Sequence, residues 1–313
     1  MIVYCHSTLE GELRSKLIDA LSDQYVIHFA SDIADKNKAK EIFQSADFIL
    51  GNPPADWFEN KPANLKFWQL DSAGFDQYAS IGLDSHIKVA NMGNWFARPC
   101  AETIVGGVLM LYRGLDTLTF LKQKSEWIGA KLRADLRILY QQNAVILGAG
   151  TIGQSVNAIL KGFGCSTHLL ARTSPDADLH SREDLFNELP YADLVINTLP
   201  GTATHFVNAD FFNAMKENSV YASVGRGSTT DENALIEALK SKRIEGAVLD
   251  VTEIEPLPAE SPLWTMDNVV LTQHTGGGRK DEHVGKVDLF LNNIFAIENG
   301  SALFDEIDLS RGY

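Results

Sequence analysis

Cysteine is scarce in this chain of 313 residues, which has three residues of this type. Cys5, Cys100 and Cys165 are far apart and odd in number, so they form neither a metal-binding spacing nor a disulfide framework. We therefore expect no metal site and three small buried side chains. This cysteine usage is typical of a reducing compartment, and it predicts a cytoplasmic protein.

Basic residues are also in short supply, because 27 lysines and arginines face 41 aspartates and glutamates and leave a net charge of −14. Such a protein is a poor partner for nucleic acid or an anionic membrane. No apolar run is as long as a membrane span, and Met1–His6 lacks the basic start and apolar centre of a signal peptide. Any site for an anion must therefore contain basic groups that make it locally positive.

Three closely spaced glycines form a motif that is typical of ligand-binding turns. The apolar run Val145–Leu147 ends at three glycines spaced G-x-G-x-x-G, and a helical pattern follows at once. The first glycine permits a tight turn, the second lets phosphates approach the backbone, and the third lets helix and strand pack closely. An ordinary glycine-rich βα turn is the alternative. The motif predicts cofactor binding at Gly148, Gly150, Thr151, Ile152 and Gly153.

Short apolar runs and helical patterns alternate on both sides of this motif. Candidate strands lie at 1–5, 25–29, 48–50, 65–70, 87–90, 144–147, 167–170, 194–196, 220–222, 246–249 and 269–271. This alternation predicts an α/β protein with two Rossmann-like, doubly wound parallel-sheet domains. Residues 1–93 plus 281–313 should form a flavodoxin-like substrate domain and residues 94–280 the dinucleotide-binding domain, with a ligand cleft between them.

Two helix starts carry capping-box spacings. Ser7 precedes Glu10 by three residues, and Thr229 precedes Glu232 by three, so each hydroxyl is expected to cap the helix that follows. The final helix is expected at about 281–299.

A long helix should begin near Pro99 and continue through Leu118. Two glycines inside it, Gly106 and Gly107, indicate close packing against another element or another subunit. A basic segment with Trp127 follows and is expected to form a surface arm.

The end of the second strand of the nucleotide unit indicates which cofactor is used. An acidic residue usually stands there to bond the ribose hydroxyl of NAD, but this position is Ala171. Arg172, Thr173 and Ser174 follow and can hold a 2′-phosphate, which predicts NADP(H), with NAD(H) still possible. In the alternative, Arg172 is a solvated loop residue and Asp176 or Asp178 bonds the ribose.

Three residues of different chemistry follow three successive predicted strands of the second half. They are Arg226, Glu255 and His274. Taken singly, such residues are usually a surface charge or a satisfied polar group. Together they suit one task, because a guanidinium binds a carboxylate in a bidentate manner and an imidazole beside a carboxylate can exchange a proton near neutral pH.

With these three residues in place, the sequence resembles the D-2-hydroxyacid dehydrogenases over nearly its whole length. The motifs that carry the resemblance are Ser72–Asp76, Ala101-Glu102, the glycine fingerprint, Asn197–Pro200, Met215-Lys216, Arg226-Gly227, Asp231–Leu235, Leu249–Val251, Glu255–Pro258, Ser261–Trp264, His274 and Arg311-Gly312-Tyr313. The Arg-Thr-Ser segment and the modest length look most like the NADPH-linked glyoxylate/hydroxypyruvate reductases.

The resemblance implies a role for each residue of the reacting centre. Arg226 would hold a small anionic 2-oxo acid, His274 would protonate its carbonyl oxygen, and Glu255 would orient His274 and keep it protonated. Backbone amides of Ala73, Gly74 and Phe75 would bind the substrate carboxylate.

The resemblance also implies roles around the cofactor. Asp250 would fix the nicotinamide carboxamide, and Leu199, Pro200 and His274 would contact the cofactor. Trp127 matches a tryptophan that reaches the partner subunit's active site in some relatives, which implies a homodimer formed through the cofactor domain.

The sequence departs from the family pattern at three places. Gln273 stands where a proline usually precedes the histidine, the glycines 276–278 replace larger residues, and Phe75 replaces an aliphatic one. These departures leave the loop geometry and the substrate size open. Two alternatives remain, namely an NAD-linked dehydrogenase of a bulkier acid and a non-catalytic, dinucleotide-sensing protein of the co-repressor kind.

Overall fold

The computed structural model describes residues 1–21 and 24–311, so Gly312 and Tyr313 of the last motif lie outside the described residues. The strands are β1 Ile2–Cys5, β2 Val26–Phe29, β3 Phe48–Leu50, β4 Phe67–Gln69, β5 Lys88–Ala90, β6 Asn143–Leu147, β7 Ser166–Leu170, β8 Leu194–Asn197, β9 Val220–Ser223, β10 Gly246–Leu249 and β11 Val269–Leu271. The helices are α1 Gly11–Leu21, α2 Lys36–Gln44, α3 Gly93–Arg113, α4 Leu115–Gln123, α5 Gly129–Leu132, α6 Thr151–Gly162, α7 Arg182–Glu188, α8 Ala209–Ala214, α9 Glu232–Lys240 and α10 Glu282–Glu298.

These elements form two compact units, one of residues 1–96 with 279–313 and the other of residues 97–278. Each unit contains one parallel sheet, which confirms the predicted α/β class with two parallel-sheet domains. The predicted ranges were 1–93 with 281–313 and 94–280.

In the first unit the strands are ordered β2-β1-β3-β4-β5. The chain crosses from β2 to the far side of β1 to form β3, so the carboxyl end of β1 is the switch point at which such sheets bind ligands. Apolar side chains cover both faces of the sheet. One face packs against α1 and α10 through residues such as Leu17 and Phe290, and the other includes Phe43, Trp68 and Phe75.

In the second unit the strands are ordered β11-β10-β9-β8-β6-β7, and all neighbours pair in parallel. The switch point lies at the carboxyl end of β6, directly before the glycine fingerprint. The four strands β6, β8, β9 and β10 are buried almost throughout, as is expected of a parallel sheet covered on both faces.

Neither predicted capping box is present. Helix α1 begins at Gly11, and the Ser7 hydroxyl instead donates to Oδ2 of Asp71 at 2.7 Å. The Thr229 hydroxyl donates to the carbonyl of Arg226, and Asp231 caps α9 by accepting from the backbone N–H of Ala234. In both cases the hydroxyl bonds a residue of a loop at the carboxyl edge of the sheet. The spacing of residues along the chain does not reveal this contact.

The prediction that the long helix starts near Pro99 is also wrong, because α3 begins at Gly93 with the proline inside it. Proline has no N–H for the carbonyl four residues earlier, which is that of Trp95. Nη1 of Arg279 lies 3.5 Å from this oxygen, and its guanidinium carbon lies 4.0 Å from the Trp95 ring centroid. The arginine therefore bonds the carbonyl that Pro99 leaves without its helical donor.

Helix α3 does not continue through Leu118. It ends at Arg113, Gly114 adopts a φ of 58°, and α4 leaves at an angle of 68°. Among the described residues no single helix has the length and hydropathy of a membrane span, and α3 and α4 reach that threshold only as a bent pair.

Candidate active site

The glycine fingerprint adopts the geometry that a pyrophosphate requires. Gly148 has a φ of +109°, and a Cβ on Gly153 would lie 2.2 Å from the carbonyl oxygen of Gly148. A Cβ on Gly150, in contrast, would meet nothing within 4 Å. Helix α6 then begins at Thr151 without a side-chain cap, so its first amides are available to an anion. The residues present therefore fit a dinucleotide.

The loop after β7 contains the residues predicted to choose the cofactor. Arg172 and Thr173 are exposed and Ser174 is half-buried. Of the two acidic alternatives, Asp178 accepts the backbone N–H of Leu169 at 3.0 Å, so one of its carboxylate oxygens is engaged at the sheet edge.

Asn197 joins two loops of the site, a function that its place in the motif Asn197–Pro200 does not reveal. It is completely buried at the end of β8, and its Oδ1 accepts the backbone N–H of Leu199 at 3.0 Å. Its Nδ2 donates to the Tyr221 and Thr229 hydroxyls, each at 2.8 Å, and the Thr229 hydroxyl donates to the Arg226 carbonyl at 2.6 Å. One side chain thus fixes the Leu199-Pro200 loop relative to the Arg226 loop.

Arg226 follows β9, and its own loop is held tightly. A Cβ on Gly225 would lie 2.4 Å from the Leu199 carbonyl oxygen, and one on Gly227 would lie 1.8 Å from that of Thr252. Arg226 is half-buried, and its Nη1 donates to the Gly225 carbonyl at 2.9 Å. The two glycines let the Leu199 and Thr252 loops approach the backbone on either side of Arg226.

His274 and Glu255 are paired. Nδ1 of His274 lies 2.6 Å from Oε2 of Glu255, while Oε1 of Glu255 accepts the backbone N–H of Thr252 at 3.0 Å. The carboxylate therefore favours a proton on Nδ1 and orients the ring, and Nε2 is the ring nitrogen that Glu255 does not engage. The His274 side chain is 53% exposed.

A cavity of about 370 Å³ lies beside this pair, and Arg226 is not part of its lining. The lining comprises Leu249, Asp250, Thr252, Glu255, Pro256, Leu257, Trp264, Leu271, Gln273 and His274.

Asp250 organises the loop that carries His274. It is buried, and its Oδ1 accepts the Thr272 hydroxyl at 2.6 Å and the backbone N–H of Thr275 at 3.0 Å. The N–H of Gly276 bonds both carboxylate oxygens, at 3.0 and 3.1 Å, and the N–H of His274 bonds the Asp250 carbonyl at 2.6 Å. This anchoring function lay outside the sequence interpretation, which assigned Asp250 to the cofactor alone.

The departure from proline at residue 273 has a structural reason. Gln273 and His274 adopt φ values of 54° and 56°, in the left-handed region. Proline is restricted to a φ near −65° and cannot adopt this conformation. The histidine loop of this chain therefore follows a path that the usual residue would prevent.

In the first unit, the loop after β4 is held in place by the buried Phe75 ring and by side-chain bonds to its carbonyls. Phe75 is buried in the core, so its large ring does not narrow the loop. Asn91 donates to the Ala73 carbonyl at 2.7 Å, and the Ser72 hydroxyl donates to the Gly74 carbonyl at 2.7 Å. These bonds hold the carbonyls of the loop.

Comparison with known proteins agrees with this arrangement. A family model described as "D-isomer specific 2-hydroxyacid dehydrogenase, NAD binding domain" matches residues 105–276. The chain is 34% identical over 284 residues to an uncharacterized protein in the proB 3′ region of Corynebacterium melassecola, covering 87% of this chain and 92% of that protein. The chain belongs to the D-isomer-specific 2-hydroxyacid dehydrogenase family.

Other relatives of this dehydrogenase have named activities or bound cofactors. A glyoxylate/hydroxypyruvate reductase B of Serratia proteamaculans is 28% identical over 313 residues, covering 96% of this chain and 95% of that protein. A solved D-isomer specific 2-hydroxyacid dehydrogenase from Xanthobacter autotrophicus Py2, in complex with NADPH and MES, has a TM-score of 0.80 at 25% identity and covers 100% of this chain and 99% of that one. The chain is thus an NAD(P)-dependent oxidoreductase of this family.

Proposed function

We propose that this protein reduces a small 2-oxo acid, such as glyoxylate or hydroxypyruvate, to the D-2-hydroxy acid with NADPH. The observation that carries the proposal is the pairing of His274 with Glu255 at 2.6 Å, beside a cavity in the unit that carries the dinucleotide fingerprint. Membership of the family and a named reductase relative support it.

In the proposed reaction NADPH, when bound, supplies a hydride for the carbonyl carbon of the acid. His274 gives a proton from Nε2 to the carbonyl oxygen, and Glu255 stabilises the protonated ring before that transfer. Arg226 holds the carboxylate and carbonyl oxygens, and the amides of Ala73, Gly74 and Phe75 bind the same carboxylate. The hydride and the proton from His274 together convert the carbonyl group to a hydroxyl group.

The cofactor would be held by backbone amides of Gly150, Thr151 and Ile152 at the start of α6, and the Leu199-Pro200 loop and Asp250 would contact the nicotinamide. Among the residues that the structure describes, Oδ2 of Asp250 accepts a hydrogen bond from Gly276 alone, which leaves it capacity for the carboxamide.

The preference for NADPH is proposed from the loop after β7. Arg172, Thr173 and Ser174 offer a cation and two hydroxyls to a 2′-phosphate, and residue 171, directly before them, is alanine and carries no charge. We expect Arg172→Ala to raise the KM for NADPH about tenfold or more and to leave that for NADH within about twofold. Equal effects on both cofactors would contradict the assignment.

The function is tested by a panel of 2-oxo acids, from glyoxylate to branched and aromatic acids, run with NADPH and with NADH. Turnover of the smallest acids with NADPH is the expected result. Preference for a bulky acid with NADH would favour the NAD-linked alternative. NADPH binding without turnover of any acid would favour the dinucleotide sensor.

Variants of the reacting centre separate binding from chemistry. We expect His274→Gln to lower kcat by about a hundredfold or more while NADPH still binds with wild-type Kd. Arg226→Ala should abolish measurable turnover, because the substrate carboxylate would lose the guanidinium that binds it in a bidentate manner. A His274→Gln enzyme with nearly wild-type kcat would refute the acid assigned here.

We also propose that the protein is a cytoplasmic homodimer formed through the cofactor domain. Trp127 is 97% exposed, and Leu115, Phe120 and Tyr140 are exposed as well. Apolar surface of this kind favours association. Sedimentation should show a dimer, and Trp127→Ala should lower kcat/KM if this ring reaches the partner's site. A monomer at micromolar concentration would contradict the proposal.

A further inference from the structure

Lys286 is the one buried cation among the residues that the structure describes. It lies on α10 and is 9% exposed. Lysine is almost never buried without a partner, because its ammonium loses hydration. Its Nζ lies 2.8 Å from Oε1 of Glu282 and 3.9 Å from Oδ2 of Asp71. Glu282, one turn earlier on the helix, is the closer partner, but its side chain is 30% exposed, whereas that of Asp71 is 18% exposed, so Asp71 is the more buried of the two carboxylates.

Asp71 stands at the root of the loop to which substrate binding is assigned. It follows β4 and directly precedes Ser72. Its Oδ2 accepts the Ser7 hydroxyl at 2.7 Å, from the switch point after β1, and its backbone N–H donates to Oδ1 of Asn52 at 3.1 Å. The next residue of the loop is also held, because Asn52 donates to the Ser72 hydroxyl at 3.0 Å. A movement of the Asp71 carboxylate would therefore disturb the loop that follows it.

The charge of Asp71 opposes the proposed use of this loop, since a carboxylate at its root repels a carboxylate bound to its amides. Lys286 offsets that charge. His6, next to Ser7, does not supply a second cation, because burial lowers its pKa even though Asp71 acts in the opposite direction. Without Lys286, the group formed with Glu282 and Asp71 would change from a net charge of −1 to −2.

We propose that Lys286 is a positioning residue for the 2-oxo acid, which neutralises and fixes Asp71 so that the loop Ala73–Phe75 can bind the substrate carboxylate. This inference rests on the proposed function. Lys286 would then supply the local positive charge that an acidic protein needs where an anionic ligand binds.

The experiment compares Lys286→Met, which keeps the length and apolar stem of the side chain, with the wild-type enzyme. We expect the KM for glyoxylate to rise about tenfold, with kcat within about twofold and the Kd for NADPH unchanged. The matched control is Lys16→Met. Lys16 lies on α1 and forms an exposed ion pair with Asp288 of α10, so this variant removes an equal charge at the surface of the helix that carries Lys286. Its KM should remain that of the wild type.

Asp71→Asn provides a test that keeps Lys286 in place and does not depend on the folding of the first variant. The amide oxygen can still accept the Ser7 hydroxyl, and the repelling charge is gone, so the KM should fall about threefold. The double variant should have a KM closer to the wild type than Lys286→Met. An unchanged KM in Lys286→Met, or a raised KM in Asp71→Asn, would overturn the inference. A wild-type enzyme that reduces no 2-oxo acid would instead refute the proposed function.

Discussion

The backbone N–H of Gly276 donates to both carboxylate oxygens of Asp250, at 3.0 and 3.1 Å. The contact is possible because residue 276 has no side chain, since a Cβ there would lie 2.6 Å from Oδ2 of Asp250. Asp250 is buried and also binds the loop at Thr272 and Thr275. The position of His274 therefore depends on a carboxylate in a different loop.

Gly276→Ala should displace this carboxylate and loosen the histidine loop. We expect kcat/KM to fall about tenfold or more and the free energy of unfolding to fall by about 1–3 kcal/mol. Steady-state kinetics and urea unfolding measure the two effects. Gly82→Ala is the control, because a Cβ at residue 82 would meet nothing within 4 Å. A Gly276→Ala enzyme with unchanged kinetics would show that the contact with Asp250 does not position His274.

Gln273 can be tested with two opposite substitutions. Gln273→Pro requires a negative φ where the chain has 54°, so it should rearrange the loop and lower kcat by about a hundredfold or more. Gln273→Gly tolerates the same φ and should keep kcat within about threefold. Kinetics with saturating NADPH distinguish the two. A fully active proline variant would show that the left-handed conformation is not needed.

Glu255→Gln preserves the shape of the pair but removes its charge. The neutral amide is a weaker acceptor for the Nδ1 proton than a carboxylate, and it can turn a donor toward the ring, so the imidazole should be oriented less well and kcat should fall about tenfold. Steady-state kinetics with saturating NADPH measure the change. A wild-type kcat in Glu255→Gln would contradict the function assigned to Glu255.

The two adjacent glycines of α3 have opposite surroundings. A Cβ on Gly107 would lie 2.4 Å from Cγ1 of Val248, whereas one on Gly106 would meet nothing within 4 Å. Gly107→Ala should therefore destabilise the protein by about 1–3 kcal/mol. Gly106→Ala should stabilise it by about 0.5–1 kcal/mol, because alanine favours the helix. Thermal unfolding measures both, and equal effects would contradict the packing described here.

A second histidine and glutamate pair predicts a pH-dependent contribution to stability. The hydrogen bond to Glu253 at 2.6 Å raises the pKa of His205. A raised folded-state pKa contributes stability below the unfolded value of about 6.5, and this stability is lost as the pH rises through the folded value. His205→Gln should therefore be less stable than the wild type at pH 5.5, by less than about 1 kcal/mol because the pair is exposed, and equally stable at pH 9. The same difference at both values would exclude the titration as its cause, and Glu253→Gln should abolish the pH dependence.

The sequence by itself determined the features that depend on neighbours along the chain. Alternating apolar runs gave the parallel strands to within two or three residues, because a buried strand needs a short continuous apolar segment. The spacing of Gly148, Gly150 and Gly153 predicted the turn, because the positive φ and the close backbone contact that require glycine both lie within this one short segment. The order of the motifs was sufficient to indicate the family.

Only the tertiary structure decided which partners these residues have. Ser7 suits a helix cap by its spacing, but it bonds Asp71, which is 64 residues away. Pro99 suits a helix start, but the carbonyl that it leaves without a helical donor is bonded by Arg279. The function of Asp250 as an anchor and the burial of Lys286 depend in the same way on contacts between distant segments. Local propensity is weak beside such contacts, so the fold could be inferred from the sequence whereas the supports of the site could not.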